Sequence, residues 1–153
     1  MSFTTRLLGP ADLVSMKMLL KLFGEVFEDP HSYQSAVPGD AYLLARLRDE
    51  TFFAVVASDS AGAAVGGLAA YELRKFEQER SEIYIYDLAV AVAHRRKGVA
   101  TALIRTLGEA ARRRGAYIMF VQADTGEEDA PANALYRKLS SGMIVANHYD
   151  IEP

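Results

Sequence analysis

The sequence predicts an α/β fold in which a central mixed β-sheet carries helices on both faces. Two observations support this prediction. Three consecutive β-rich runs in the middle of the chain have the pattern of antiparallel neighbours. An amphipathic helix and a further apolar run follow them, which is the pattern of a β-α-β crossover between parallel strands. The predicted order is β-α-α-β-β-β-α-β-α-β, in one domain that spans residues 1–153.

The first half of the chain is predicted to form a strand, two helices and a hairpin. Apolar residues recur at helical spacing in the first helix, and Asp29-Pro30 ends it. The turn Asp59-Ser-Ala-Gly62 joins two β-rich runs as a hairpin. The predicted bounds are Phe3–Leu8, Thr51–Ser58 and Ala64–Leu73 for the strands, and Ala11–Phe27 and Asp40–Arg48 for the helices.

The second half is predicted to contain three strands and two helices. The helix that Gly115 ends has apolar residues at four-residue spacing. The run from Ala116 to Ala123 is apolar throughout, which is typical of a strand at the centre of a sheet. The predicted bounds are Ser81–Ala91, Ala116–Ala123 and Met143–Ile151 for the strands, and Lys97–Arg114 and Pro131–Leu139 for the helices.

The composition excludes several kinds of chemistry. The chain has no cysteine, which rules out a disulfide, a thiolate zinc site and a cysteine nucleophile. His31, His94 and His148 are scattered, so no metal site is expected. The net charge of −3 argues against nucleic acid as a partner. No apolar run reaches the roughly 20 residues of a membrane span, and the N-terminus lacks a signal-peptide pattern, so a cytoplasmic location is expected.

A basic, glycine-containing turn lies between the third β-rich run and the next helix. The backbone N–H groups that begin a helix have no intrahelical partner and carry the positive end of the helix dipole. An anion placed there meets several converging donors. Gly98 allows close approach of a phosphate, and Ala100 is small enough not to block it. The sequence therefore predicts a pyrophosphate site made by Arg95, Arg96, Lys97, Gly98, Val99, Ala100 and Thr101. The alternative is a helix cap with solvated basic residues.

This turn resembles a known cofactor signature. Arg95-x-x-Gly98-x-Ala100 is similar to the acetyl-coenzyme A motif of the GCN5-related N-acetyltransferases (GNAT), and the order of elements resembles that family over nearly the whole chain. The resemblance implies acetyl-coenzyme A (acetyl-CoA) as the cofactor. It also implies that the backbone of Leu88, Ala89 and Val90 binds the pantetheine arm.

The resemblance further implies a general acid. Family members often place a tyrosine near the cofactor sulfur in a pattern that resembles Ala134-Leu-Tyr136. A phenol can donate a proton to the departing thiolate. Asn133 lies on the same helix face and is expected to bond the pantetheine arm. The alternative for Tyr136 is a packing role at the boundary of the core.

Asp87 is the candidate residue for binding and deprotonating an amine. In a regular strand it shares a face with Ile83 and Ile85, where an unpaired carboxylate is costly. A cationic substrate would supply the partner, and a bulge near Asp87 could change which residues reach the cleft. The alternative is a structural aspartate bonded to a neighbouring backbone group or arginine.

An acidic segment follows the apolar run from Ala116 to Ala123, at the strand end where α/β sheets bind ligands. Such a rim suits a polycationic substrate. Its candidate substrate-binding residues are Asp124, Glu127 and Glu128, and Asp150 adds a further acid near the C-terminus. A solvated surface role is the alternative for each of them.

A subgroup resemblance is more specific. Phe76-Glu-Gln78 and Arg80-Ser-Glu-Ile-Tyr-Ile-Tyr-Asp-Leu-Ala-Val90 resemble the type I aminoglycoside 3-N-acetyltransferases, as do Gly115-Ala-Tyr117 and Val121-Gln-Ala-Asp124. The resemblance implies acetylation of the 3-amine of a 2-deoxystreptamine antibiotic such as gentamicin, by direct attack in a ternary complex, and hence antibiotic resistance. Family habit suggests a homodimer. The alternatives are a polyamine or protein N-terminal acetyltransferase, or a non-catalytic coenzyme A-binding module.

Overall fold

A computed structural model describes residues 2–153, which divide into two compact units, one ending at Gln122 and the other beginning at Ala123. The single domain expected from the sequence stays a prediction. The first unit contains, in chain order, β1 (Phe3–Leu7), α1 (Leu13–Val26), α2 (Asp40–Arg48), β2 (Phe52–Asp59), β3 (Ala64–Arg74), β4 (Ser81–Val90), α3 (Val99–Arg114) and β5 (Ala116–Val121). The second unit contains α4 (Ala130–Leu139). Each of these elements lies within two residues of its predicted bounds.

The sheet is mixed, as predicted. Its strands lie in the order β1-β2-β3-β4-β5. The first four pair antiparallel, and β5 pairs parallel to β4 because α3 returns the chain to the same end of the sheet. The predicted α/β class, with helices on both faces, is confirmed.

The sheet buries a separate apolar core on each face. On one face α3 packs Val99, Leu103 and Leu107 against the strands. On the other face α1 and α2 cover the sheet, and Leu19 and Leu43 are among the buried side chains. The helices that flank β4 therefore come from two different parts of the chain, and each face of β4 has its own neighbours.

Glycines in β3 let two helices approach the sheet closely. A β-carbon on Gly66 would lie 2.7 Å from Val99 Cγ1 of α3, and one on Gly67 would overlap Leu19 of α1. Interiors packed at this density do not accept an added methyl group without displacement. The close approach fixes α1 and α3 over the strand that pairs with β4.

The predicted final strand is absent. Residues 143–151 form no strand, so the prediction of a strand at Met143–Ile151 is wrong. The related prediction that the run from Ala116 lies at the centre of the sheet is also wrong, because β5 is an edge strand of the five-stranded sheet. Apolar character alone does not provide a backbone partner, and a strand requires one. None of the helices in residues 2–153 combines the length and the apolar character needed to cross a bilayer.

Candidate active site

The face on which Asp87 lies is set by a β-bulge in β4. Ala70 pairs with Ile85 and Ala69 pairs with Asp87, so Tyr86 is an extra residue without a counterpart in β3. Ile85 packs in the core beneath α3, whereas Asp87 lines a cavity on the face of α1 and α2. The expectation from a regular strand, that Asp87 shares a face with Ile83 and Ile85, is therefore wrong.

Asp87 has a hydrogen-bond partner that sequence analysis missed. The hydroxyl of Tyr33 donates to Oδ1 of Asp87 at 2.8 Å. Tyr33 lies in a π-helical turn, His31–Ser35, in the segment between α1 and α2, to which the sequence analysis assigned no helix or strand. Its ring packs edge-on against Phe23 of α1, with 6.0 Å between the centroids. The contact to Phe23 orients the phenol toward β4.

Asp87 and Tyr33 line one small cavity of about 150 Å³. Most of the lining is apolar or aromatic, and Asp87 is the sole acidic residue among the described residues that line it. Arg46 is the sole cationic residue of this lining, and Asp49 already binds it at 3.1 Å. The cavity therefore offers a cationic ligand one carboxylate, and Asp49 offsets the charge of its one guanidinium, whose buried Nε has no hydrogen-bond partner.

Burial dominates the acid–base properties of this pair. It raises the pKa of Asp87 above the ordinary value for a carboxyl group, and the hydrogen bond from Tyr33 acts in the opposite direction. Burial, together with the Asp87 carboxylate, also raises the pKa of Tyr33, so its hydroxyl keeps its proton and remains a donor. The arrangement favours a carboxylate that can accept a proton more readily than an exposed aspartate.

The turn before α3 has the geometry of an anion site. Arg96 and Gly98 both have left-handed backbone conformations, with φ of 62° and 82°. The first intrahelical bond runs from the N–H of Ala102 to the carbonyl of Gly98, so the N–H groups of Val99, Ala100 and Thr101 point out of the helix start. These converging donors fit a pyrophosphate.

Two basic side chains of this turn fold back onto backbone carbonyls. Nε of Arg95 donates to Val90 O at 3.3 Å, and Nζ of Lys97 donates to Ala93 O at 2.7 Å. Both charges are thereby held beside the helix start. The predicted pyrophosphate residues, Arg95 through Thr101, are together in one continuous turn.

The sheet opens beside the end of β4. Pairing between β4 and β5 runs only as far as Ile85 and Val121. Beyond that level Leu88 and Ala89 remain paired with β3 alone. Their backbone groups on the β5 side have no strand partner, which fits the amide-containing pantetheine arm that the resemblance implies.

In the second unit, Asn133 and Tyr136 both belong to α4. Nδ2 of Asn133 donates to the carbonyls of Asp124 at 2.8 Å and Asp129 at 3.1 Å. The amide nitrogen is thus engaged within the unit, and its Oδ1 is the atom left for a ligand. Burial, with the charge of Asp129 second, raises the pKa of Tyr136. The phenol therefore holds its proton until a strong base such as a thiolate is beside it.

The acidic candidates are exposed. Glu127 and Glu128 lie in a 3₁₀ turn before α4, and Asp124 lies just upstream. Asp150 lies in the C-terminal segment, which forms no helix or strand, and Nε2 of His148 is 3.2 Å from its Oδ1. Their exposure is compatible both with a polycation-binding rim and with an ordinary solvated surface.

Two features therefore lie together: β4 and β5 separate beyond Ile85, and the helix start beside them has the geometry of a pyrophosphate site. This combination places the protein in the class of acyl-coenzyme A-dependent transferases. The profile of the acetyltransferase (GNAT) family matches residues 16–140. The chain belongs to this family. It is therefore an acetyl-transferring enzyme, and acetyl-CoA is its acetyl donor.

Comparison with solved structures gives similarities over the full length. An aminoglycoside acetyltransferase, HMB0005, from an uncultured soil metagenomic sample is 54% identical, with a TM-score of 0.95 and coverage of 100% of this chain and 99% of that chain. A second, meta-AAC0020 from such a sample, solved in complex with sisomicin, is 29% identical (TM-score 0.83, coverage 98% and 97%). A ribosomal-protein-alanine N-acetyltransferase from Brucella melitensis biovar Abortus 2308 shares the fold at 22% identity (TM-score 0.73, coverage 99% and 100%). A comparison with curated proteins finds no match.

We expect Asp87→Asn to be more stable than the wild type at pH 7. Because burial raises the pKa of Asp87, the folded state binds its proton more tightly than the unfolded state does. Its ionisation therefore costs stability as the pH rises from the ordinary carboxyl value of 3.8 through the raised pKa. Urea unfolding across this range should show the advantage of the variant shrinking as the pH falls. Glu109→Gln on the exposed face of α3 is the control, and an equal gain there would contradict the argument.

Proposed function

We propose that the protein is an aminoglycoside 3-N-acetyltransferase, which transfers acetyl from acetyl-CoA to the 3-amine of a 2-deoxystreptamine antibiotic such as gentamicin. The observation that carries the proposal is the half-buried carboxylate of Asp87, in a cavity whose one cationic lining residue among those described, Arg46, is paired with Asp49. A small polycationic amine is the matching ligand. The 54% identity to an aminoglycoside acetyltransferase, and the sisomicin complex of a second relative, support this substrate class.

The reaction we propose is direct attack in a ternary complex. Acetyl-CoA, when bound, supplies a thioester carbonyl and a thiolate leaving group. Asp87, directly or through water, accepts a proton from the substrate ammonium, so that the free amine nitrogen forms the new C–N bond. Tyr136 donates its phenolic proton to the sulfur as the C–S bond breaks, and the proton that the nitrogen loses on becoming the amide N–H returns to the phenolate through solvent. Tyr33 keeps Asp87 in place by its hydrogen bond.

The proposed cofactor-binding residues belong to two features: the turn that begins α3, and the part of β4 that extends beyond its pairing with β5. The backbone N–H groups at the helix start take the pyrophosphate, and the positive side chains of the turn offset its charge. The exposed backbone of β4 beyond the opening takes the pantetheine amides, with Asn133 contributing Oδ1. The proposed set is Leu88, Ala89, Val90, Arg95, Arg96, Lys97, Gly98, Val99, Ala100, Thr101 and Asn133.

The remaining acids are proposed to attract the other ammonium groups of the substrate. Asp124, Glu127, Glu128 and Asp150 are exposed and anionic. At such sites the attraction acts mainly on the rate of encounter and weakens with salt. Resistance to the antibiotic is the biological consequence of this reaction. The cytoplasmic location and the homodimer remain predictions from the sequence.

A polyamine or a protein N-terminus is the second candidate acceptor. A shared fold with a ribosomal-protein-alanine N-acetyltransferase keeps this candidate open, because the same donor site serves either acceptor. A linear polyamine would satisfy Asp87 as well as an amino sugar does. Regiochemistry and acceptor preference separate the candidates.

The acceptor is tested by coenzyme A release from acetyl-CoA in the presence of gentamicin, spermidine or a short peptide. We expect rapid turnover on gentamicin, with a single acetyl group on the 3-amine in the product by mass spectrometry and NMR. Turnover confined to spermidine or the peptide would overturn the antibiotic assignment. Acetylation of gentamicin at another amine would overturn the regiochemistry and keep the substrate class.

The proton-transfer roles are tested by two conservative substitutions. Asp87→Asn and Tyr136→Phe should each lower kcat by about 10²- to 10⁴-fold, because each removes one proton-transfer group. Affinity for acetyl-CoA, measured by calorimetry, should change little. Tyr117→Phe is the control for removal of a phenol, since Tyr117 lies in β5 and donates to Glu82. A variant with wild-type kcat would exclude that residue from proton transfer.

The pyrophosphate turn is tested by a matched pair of glycine substitutions. Gly98 and Gly115 lie at opposite ends of α3, with φ of 82° and 74°, and neither has an atom within 4 Å of an added β-carbon. Alanine at either position should cost about 1–2 kcal/mol of backbone strain. Only Gly98→Ala should weaken acetyl-CoA binding, by about tenfold in Kd by calorimetry. Equal binding losses in the two variants would contradict the assignment of the turn.

A further inference from the structure

Four aromatic residues lie side by side across four strands of the sheet. Phe52 of β2 pairs with Tyr71 of β3, Tyr71 pairs with Tyr84 of β4, and Tyr84 pairs with Phe120 of β5. We call these four residues the aromatic row. Because neighbouring strands are about 4.8 Å apart, the row is on the order of 14 Å long. The four positions form an unbroken series of paired residues from β2 to β5.

The rings of the row contact in two pairs, and the ring of Tyr86 bridges the pairs. Tyr84 and Phe120 stack with centroids 4.7 Å apart and planes within 4°. Phe52 and Tyr71 lie 5.4 Å apart. The ring of Tyr86 is edge-on to both Tyr71, at 5.9 Å, and Tyr84, at 5.5 Å. The extra residue of the bulge thus adds a fifth ring to a surface that a regular strand would leave with four.

This surface adjoins the proposed catalytic carboxylate. Tyr71 and Asp87 line the same cavity, and Tyr86 and Asp87 are consecutive. The rings are open to solvent in part: Tyr71 is 39% exposed and Tyr86 62% exposed. By contrast, Ile83 and Ile85 on the opposite face of β4 are buried. Core packing against α1 or α3 therefore does not account for the exposed rings.

The cations near the surface are engaged by carboxylates or by a ring. Near Glu82, which accepts from Tyr117, Lys75 is held between Glu77 at 3.2 Å and Glu82 at 3.3 Å, and the guanidinium of Arg80 lies on the ring of Tyr117 at 3.8 Å. Arg46 is paired with Asp49. The π faces of the five rings carry partial negative charge, which attracts ammonium groups. An amino-sugar ring, a saturated chair with C–H bonds on its faces and ammonium groups around its rim, matches both the shape and the charge of this surface.

We propose that the aromatic row and Tyr86 bind a second, non-reacting amino-sugar ring of the acceptor, which stacks on the rings while Asp87 engages the reacting amine. The inference rests on the proposed function and specifies how that substrate is held. Stacking of this kind acts in the ground state and the transition state alike. It should therefore affect KM and the Kd of the acceptor, with little effect on kcat.

The test compares Tyr86→Leu with Tyr86→Phe. The leucine variant removes the ring, whereas the phenylalanine variant keeps the ring and removes only the hydroxyl. We expect Tyr86→Leu to raise the KM for gentamicin, and its Kd by calorimetry in the presence of coenzyme A, by about five- to tenfold. Tyr86→Phe should stay close to the wild type. With 2-deoxystreptamine alone, which has one ring, the two variants should match the wild type.

The outcomes separate this proposal from the proposed function. Wild-type turnover of gentamicin with an unchanged KM and Kd in Tyr86→Leu would overturn the aromatic surface and leave the function standing. Gentamicin binding that Tyr86→Leu weakens, without acetylation by the wild type, would keep the surface and overturn the function. A lack of gentamicin binding by the wild type would overturn both. Phe120→Leu, at the far end of the row, repeats the test if Tyr86→Leu loses its thermal transition.

Discussion

An ionisable carboxyl group beneath two helices needs a donor, and the hydrogen bond from Tyr33 to Asp87 supplies it. This interaction links the segment between α1 and α2 to the middle of the sheet, over 54 residues of sequence. Without the phenol, burial alone would act on Asp87, and its carboxylate form would be harder to maintain. The orientation of Asp87 and the docking of the π-helical turn share this contact, which the packing of Tyr33 against Phe23 supports.

The neighbours of β4 change on both sides at nearly the same level. On the β3 side the bulge inserts Tyr86, and on the β5 side pairing ends at Ile85. The two irregularities place a carboxylate on one face and free backbone groups on one edge within a few residues. The site for the acetyl donor and the site for the amine acceptor can thus both lie beside β4. A regular, fully paired strand would offer neither feature, since its backbone groups would be occupied and its side chains would strictly alternate.

Periodicity and turn chemistry were enough to predict the order of elements up to α4. Signals such as the helix-ending Gly115 and the basic turn at Gly98 are local, so sequence can show them. The bulge is not local: whether Tyr86 has a counterpart depends on β3. The need of Asp87 for a donor was predictable, but Tyr33 is one of eight tyrosines and lies far away in sequence. The failed strand at Met143–Ile151 shows the same limit, because pairing requires a partner that alternation cannot identify.

The bulge adds one residue to β4 without changing which residues pair on either side of it. Removal of Tyr86 would leave Ile85 and Asp87 as neighbours on opposite faces, each still opposite its present partner in β3. A chain one residue shorter could therefore form a regular β4 without moving the carboxylate to the other core. The present strand is equivalent to such a regular strand with one residue inserted. Register does not require the inserted residue, and what it adds is a local bend and a ring.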